Sequence, residues 1–283
     1  DFPVYISFSK HNKGRQISMK ALSLLFRGLV PALAVVLLAS CAHDDDFEKR
    51  FGADAPREKI IAVKASGKIT LDGNLNEGAW AKAPAYAFQP PARNYGVVMP
   101  KVAKNQDAFE PGMAKLVYDD KYLYIGAVLQ DSDVVQYGKE DQAHLYLQGD
   151  LFEIFLKSEK SPKYWELYAA PNGKKTTFIF ESRGYARADW GTLDPSFLTA
   201  ATVQGTLNNY NDKDKSWTVE VAIPLKMLQG LTGVKFDNAG KWTILLGRYN
   251  YNFGQNRSQL SSVPQLPQGN YHLIEYYGEL VLK

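Results

Sequence analysis

Apolar and polar positions alternate with a period of two along most of the chain after Lys59, the spacing of half-buried β-strands. "AKLVYDDKYLYIGAVLQD" (Ala114 to Asp131) predicts two strands around a tight Asp119-Asp120-Lys121 turn. "LFEIFLK" and "YWELYAA" predict a second hairpin across "SEKSPK". "TTFIFE", "TAATVQGTL", "SWTVEVAIP", "KWTILLGRYNYN" and "GELVL" supply further strands, rich in β-branched and aromatic residues with turn residues between them. Helical spacing is sparse. "NEGAWAKA" predicts a short helix after Asn74, and "PLKMLQG" predicts another from Pro224 to Gly230. Many strands without alternating helices predict an all-β fold, an antiparallel two-sheet β-sandwich of jelly-roll type with one or two short helices. Two irregular stretches, residues 89–112 and 182–196, are long enough to be functional or disordered loops. No internal repeat or linker breaks the pattern after Lys59.

One strand carries an anomaly. In "GDLFEIFL" (Gly149 to Leu156), one face takes Leu151, Glu153 and Phe155, and the other takes Asp150, Phe152, Ile154 and Leu156. A carboxylate among large apolar side chains is costly to bury without a partner. The predicted hairpin sets Glu153 roughly opposite Glu166. Like charges across a strand pair repel, unless one is protonated or a cation or polar ligand lies between them. Three readings stand: a ligand contact, a structural hydrogen-bonded acid, or a catalytic carboxylate pair.

Composition changes this picture little. Hydrophobic residues make up 45% and charged residues 22%, as in ordinary globular proteins. The 17 tyrosines suit strands and also surfaces that stack on flat ligands. The net charge of +3 comes from residues 1–40, where Lys10, Lys13, Arg15, Lys20 and Arg27 face only Asp1. The remainder is near neutral and has no basic footprint for nucleic acid. His11 and His43 lie outside the domain, and His144 and His272 lack metal-ligand spacing. No phosphate-binding glycine loop or nucleophile elbow is present.

"MKALSLLFRGLVPALAVVLLASC" reads as an export signal beginning at Met19. Lys20 and Arg27 form its basic region, and Gly28 to Ala39 its apolar region, too short to span a bilayer comfortably. It closes on Leu38-Ala39-Ser40-Cys41, which resembles a bacterial lipobox, so Cys41 is the expected lipidation site. It is the single cysteine of the chain, so no internal disulfide is expected. Acyl chains each contribute roughly 0.8 kcal/mol per buried CH₂ to membrane anchoring. Ala42 after the cysteine implies the outer membrane by the same resemblance, facing the periplasm or the cell surface. The expected organisation is an upstream segment and signal peptide over residues 1–40, a flexible tether over 41–58 and one domain over 59–283.

The order of motifs from Ile69 onward resembles the family 9 carbohydrate-binding modules and their relatives. "ITLDGNLNEGAW" matches the family opening, and "AKLVYDDKYLYIGAVLQDSD" its first long hairpin. "GDLFEIFLK" matches the central Asp-x-x-Glu strand, and "YWELYAAPNG" the next strand with its Asn-Gly turn. "WTVEVAIPLKML" and "YYGELVL" match the late Trp-x-x-Glu segment and the closing strand. The resemblance implies a β-sandwich that binds sugar ends or oligosaccharides on a concave face, without cutting them. Modules of this kind are attached to xylanases, whereas this chain is expected not to be an enzyme. In the family two tryptophans sandwich a sugar. One falls on Tyr271 and the other on Leu147, beside Tyr146. The central-strand glutamate falls on Glu153, an arginine falls near Tyr168, and a polar pair falls on Arg248 and Asn250. Structural calcium also occurs in the family, with Asp131 and Asp133 as the candidate ligands here.

Trp80, Trp217 and Trp242 occupy core-type motif positions, and Trp165 alternates with Glu166 toward the core. Tyr249 and Tyr251, on the face opposite Arg248 and Asn250, are also read as core. Trp190, in a long loop, is the candidate replacement stacking platform. Two other functions compete with carbohydrate binding. One is an envelope assembly protein that uses the sandwich for docking. The other is a haem-binding electron-transfer module with Met99, Met113, Met227, His144 or His272 as ligands.

Overall fold

The computed structural model describes residues 47–93, 109–193, 196–252 and 258–283. The predicted leader, Cys41 and Met99 lie outside these residues. Among the described residues, no helix is long and apolar enough to cross a membrane.

The strands follow the alternation in the sequence. β1 (Lys59–Lys64), β2 (Tyr86–Ala87), β3 (Gly112–Tyr118), β4 (Tyr122–Gln130), β5 (Leu151–Ser158), β6 (Tyr164–Ala169) and β7 (Lys175–Ser182) come first. β8 (Tyr185–Ala186), β9 (Leu198–Gln204), β10 (Ser216–Pro224), β11 (Trp242–Asn250), β12 (Gln259–Val263) and β13 (Gly278–Leu282) complete the set. One sheet runs β8-β7-β6-β5-β11-β13-β1, and the other runs β1-β3-β4-β10-β9. β1 belongs to both. Lys59 to Ala62 pair with β13, and Val63 and Lys64 pair with β3, both in parallel. The sandwich is thus antiparallel except at the strand that joins its layers.

Between the layers lies the main core. β5 contributes Phe152, Ile154 and Leu156, β6 contributes Trp165 and Leu167, and β10 contributes Trp217, Val219 and Val221. Trp242 is buried there too, and Trp80 is buried on the outer face of the second sheet, so these four tryptophans are core as expected. The inter-sheet space is lined by these side chains. His144 and His272 lie outside it, Met113 is exposed, and Met227 packs at the edge of the core.

Two predicted motifs meet in one contact. Glu220 of β10 accepts the amides of Asp72 and Gly73, both at 2.9 Å, which ties the "LDG" turn to the "WTVEVAIP" strand. Gly73 has φ +81°, and a Cβ there would lie 2.7 Å from the Ala201 carbonyl carbon, so the turn requires glycine on both counts. The helix α1 (Gly78–Lys82) buries Trp80 just after this turn. The helix α2 (Leu225–Thr232) starts after Pro224 as predicted and ends at Gly233 rather than Gly230. Residues 47–51 are helical where a flexible tether was expected. One compact unit spans Phe51–Lys283, with Phe51 edge-on to Tyr276.

Candidate functional site

β5 is buried on both faces because its alternate set, Leu151, Glu153 and Phe155, lies under a second apolar cluster on the outer side of its sheet. That side forms a cleft of about 360 Å³, within the range of small-ligand sites, about 300–1,000 Å³. Its floor is β5, β6 and β11. Glu153 pairs in register with Tyr168, and Phe155 pairs with Glu166. The hairpin is therefore two residues out of the predicted register. The two glutamates share one face as diagonal neighbours rather than as a direct pair.

Tyr168 joins them. Its hydroxyl donates to Glu166 Oε1 at 2.6 Å and also favours the charged form of Glu153. Burial pushes the Glu153 carboxyl well above its ordinary range, and the charge of Glu166 pushes it further. Burial raises Glu166 to about 7. Glu153 is 1% exposed, and its Oε1 has no hydrogen-bond partner. The basic group nearest to Glu166 is His272, with Nε2 4.0 Å from Oε2, and burial lowers the pKa of that imidazole. The Tyr164 hydroxyl lies 3.0 Å from His272 Nδ1 and accepts the Gly184 amide at 3.0 Å. The Tyr164 hydroxyl thus fixes the ring of His272 beside Glu166.

Aromatic rings wall the floor. Trp190 packs on Phe178 at 4.6 Å between centroids and on His144 at 4.4 Å. Its carbonyl accepts Gln142 Nε2 at 2.8 Å, which pins the 3₁₀ turn Trp190–Thr192. Tyr146 stands between Tyr168 and Tyr249, at 6.2 and 5.7 Å. On the other side, Tyr271 lies over Gly247, where a Cβ would be 2.7 Å from its Cε2. Its hydroxyl accepts the Arg248 amide and lies 2.7 and 2.8 Å from the carbonyls of Arg248 and Ser261. The ring is thus a fixed wall with its polar tip committed to backbone.

Comparison with known proteins places this architecture. The model of the carbohydrate family 9 binding domain-like family matches residues 71–283. The chain belongs to that family. Among solved structures it is similar to a candidate carbohydrate-binding protein from Bacteroides uniformis, with TM-score 0.60 and 8% identity, over 81% of this chain and 100% of that one. That likeness is one of fold. It is also similar to a family 9 module from Caldicellulosiruptor kristjanssonii solved with cellotriose and with glucose. The identity is 18% in both, over 80% of this chain and 94% or 96% of theirs, with TM-scores of 0.47 and 0.48. No curated protein matches the chain.

Of the residues the sequence nominated, this family 9 domain brings Glu153, Glu166, Tyr168, Tyr146, Trp190 and Tyr271 into one cleft. Leu147 turns away and is 65% exposed, so Tyr146 is the residue of that pair that faces inward. Arg248 and Asn250 are not brought to the cleft. Arg248 pairs in register with Phe152 and so faces the inter-sheet core. There it donates to the Gln130 carbonyl at 2.6 Å, to Asp131 Oδ2 at 3.1 Å and to Asn250 Oδ1 at 2.8 Å. Asn250 in turn donates to Glu110 Oε2 at 2.7 Å. These two residues staple the layers together. Asp131, a candidate calcium ligand, spends one oxygen on Arg248 and the other on the Asp133 amide at 3.1 Å. Among the described residues, no group of three or more His, Cys, Asp or Glu is placed to hold a metal ion.

Tyr249, read as core, lines the cleft instead. Its strand is oriented with the polar residues inward, the reverse of the usual expectation. Gly247 carries no expectation of a site role, and His144 and His272 are expected only as haem ligands, not in a carbohydrate cleft. The available signal was the alternation itself. Gly247 and Tyr249 fall on one face of β11, and Phe178 and Phe180 on one face of β7.

Proposed function

We propose that this chain is a non-catalytic carbohydrate-binding domain whose cleft takes a glycan end or a short oligosaccharide. The observation that carries this reading is one cleft with aromatic walls and hydrogen-bonding carboxyls on its floor, the combination that holds the apolar faces and the hydroxyls of a sugar ring. Family membership supports it. Glu153 and Glu166 stand side by side on neighbouring strands, whereas glycoside hydrolysis uses carboxyls that flank the scissile bond. Their role is therefore contact with ligand. Tyr146, Trp190, Tyr249 and Tyr271 supply the stacking surfaces, and Tyr168 orients Glu166.

The site is displayed on the bacterial envelope, with a lipid on Cys41 holding the protein at the outer membrane. The lipobox-like Leu38-Ala39-Ser40-Cys41 run supports this part of the reading. Calorimetric or NMR titration against a panel of monosaccharides and oligosaccharides tests the binding. Glu153→Ala and Tyr249→Ala should each weaken it without unfolding the domain. A panel with no binder would defeat the proposal. Fractionation of cells carrying Cys41→Ala tests the anchor, which predicts loss of the protein from the membrane fraction.

A further inference from the structure

Among the described residues, the cleft holds two carboxyls and no lysine or arginine. Arg183 and Arg187, which flank β8, are each paired already, Arg183 with Glu275 and Arg187 with Asp189. Lys163, on the β5–β6 turn, is paired with Glu181 at 2.9 Å. Arg248 is turned to the core. Among the described residues, His272 is the basic side chain beside Glu166, and burial favours its neutral form. His144 is packed against Trp190 and Phe178 on the far wall.

A neutral ligand leaves this floor poorly compensated. Two adjacent buried carboxyls that receive only sugar hydroxyls would have to stay at least partly protonated. Glu153 Oε1, buried and without a partner, is an acceptor directed at whatever fills the cleft. An ammonium group satisfies both facts, since it donates three hydrogen bonds and brings the missing charge. The faces of Tyr146, Trp190 and Tyr249 add the π-surface that favours a desolvated cation.

We propose that the cleft selects a cationic amino sugar, a hexosamine with a free amine or a short oligomer of it. The amine sits against Glu153 and Glu166, and the ring lies against the aromatic walls. This rests on the carbohydrate-binding reading above and narrows it to a ligand class. Binding then carries a proton signature. A cation ionises carboxyls that are otherwise partly protonated, so protons leave as the ligand enters. The groups facing these carboxyls are Tyr164 and Tyr168 on β6, Tyr249 on β11, and Tyr271, His272 and Tyr277 beyond β12. Their tyrosines are all raised by burial, so the carboxyls themselves titrate first.

Glucosamine, N-acetylglucosamine, glucose and n-butylamine titrated into the folded domain decide the matter. Calorimetry in two buffers of different ionisation enthalpy reads the proton release. Glucosamine should bind about tenfold more tightly than glucose or N-acetylglucosamine at pH 7, the scale of one charge-assisted hydrogen bond. Proton release should accompany glucosamine alone among the sugars. Affinity should rise from pH 5 to pH 7, up to the point where the sugar amine loses its own proton. Glu153→Gln and Glu166→Gln should abolish the preference while unchanged circular dichroism reports an intact fold. Equal or tighter binding of the neutral sugars overturns the amine inference and leaves carbohydrate binding standing. Equal binding of n-butylamine also overturns it, by removing the need for a sugar ring. Failure of every sugar defeats both readings together.

Discussion

Tyr168 donates its hydroxyl to Glu166 from the strand position directly opposite Glu153. A single phenol therefore mediates between two carboxyls that burial drives toward their neutral forms. The donation favours charged Glu166, so Tyr168→Phe should push the Glu166 carboxyl above its value of about 7. Carboxyl carbon NMR of the variant reads this directly. A downward shift, or none, would show that the hydroxyl plays no part in setting the charge of the floor.

The same carboxyl sets a pH dependence of folding. The Glu166 carboxyl, ordinarily at 4.5, is raised to about 7 in the fold by burial. The folded state thus binds more protons than the unfolded state across that window, so stability contributed by the protonated group is complete below pH 4.5 and falls as pH rises to 7. Glu166→Gln keeps an acceptor for Tyr168 and removes the charge. The variant should melt like the parent at pH 4 and above it at pH 8, by a few kcal/mol at most on the scale of about 1.4 kcal/mol per pKa unit. Identical melting curves at both pH values would count against a strained carboxyl.

Gly247 offers a steric handle on the wall formed by Tyr271. It sits opposite Glu153 in the register, and an added Cβ would meet the Tyr271 ring at 2.7 Å. Tyr271 cannot retreat easily, because its hydroxyl is held between two carbonyls and an amide. Gly247→Ala should cost about 1–3 kcal/mol, the usual range for overpacking, and should weaken glycan binding by displacing the wall. Gly67→Ala, with nothing within 4 Å, is the control that should change neither. Parent-like binding by Gly247→Ala would mean that Tyr271 does not shape the ligand site.

How far these features could be read from sequence depends on which face of a strand decides them. Alternation located the strands, and Phe152, Ile154 and Leu156 separated cleanly from Leu151, Glu153 and Phe155. The separation says which residues share a face and not which face meets the other sheet. On β11 the polar set, Arg248 and Asn250, looked like the ligand side. It is instead buried against Gln130, Asp131 and Glu110, because these three groups offer partners that sequence cannot show to be near. The register error at Glu166 has a similar origin, since the extent of the β5–β6 turn was read from its composition. The strand exchange of β1 between layers left no trace in the pattern.

The inward position of Arg248 makes a prediction that separates folding from binding. Its guanidinium is 1% exposed and paired with Asp131, itself fully buried. Removing one partner of a buried pair leaves an uncompensated charge and costs about 3–5 kcal/mol. Asp131, raised to about 6 by burial despite the attraction of Arg248, would then be neutral at higher pH still. Arg248→Met should lower the melting temperature strongly, yet whatever folds should bind glycan with parent affinity. Selective loss of binding in a stably folded variant would return Arg248 to the ligand site.

Glu220 tests the same separation from the opposite sheet. Its Oε2 accepts both amides of the Asp72-Gly73 turn, and it lies on the face of β10 away from the inter-sheet core. Replacement by alanine strands two amides, one of them buried, at about 1–3 kcal/mol for a group left unsatisfied. Gly73→Ala should be worse, because positive φ and the contact with Ala201 backbone both oppose a side chain. Chemical denaturation of the two variants should therefore rank parent above Glu220→Ala and Glu220→Ala above Gly73→Ala, with glycan affinity of the folded fraction unchanged in all three. The reverse ranking of the two variants would place the cost in the carboxylate rather than in the geometry of the turn.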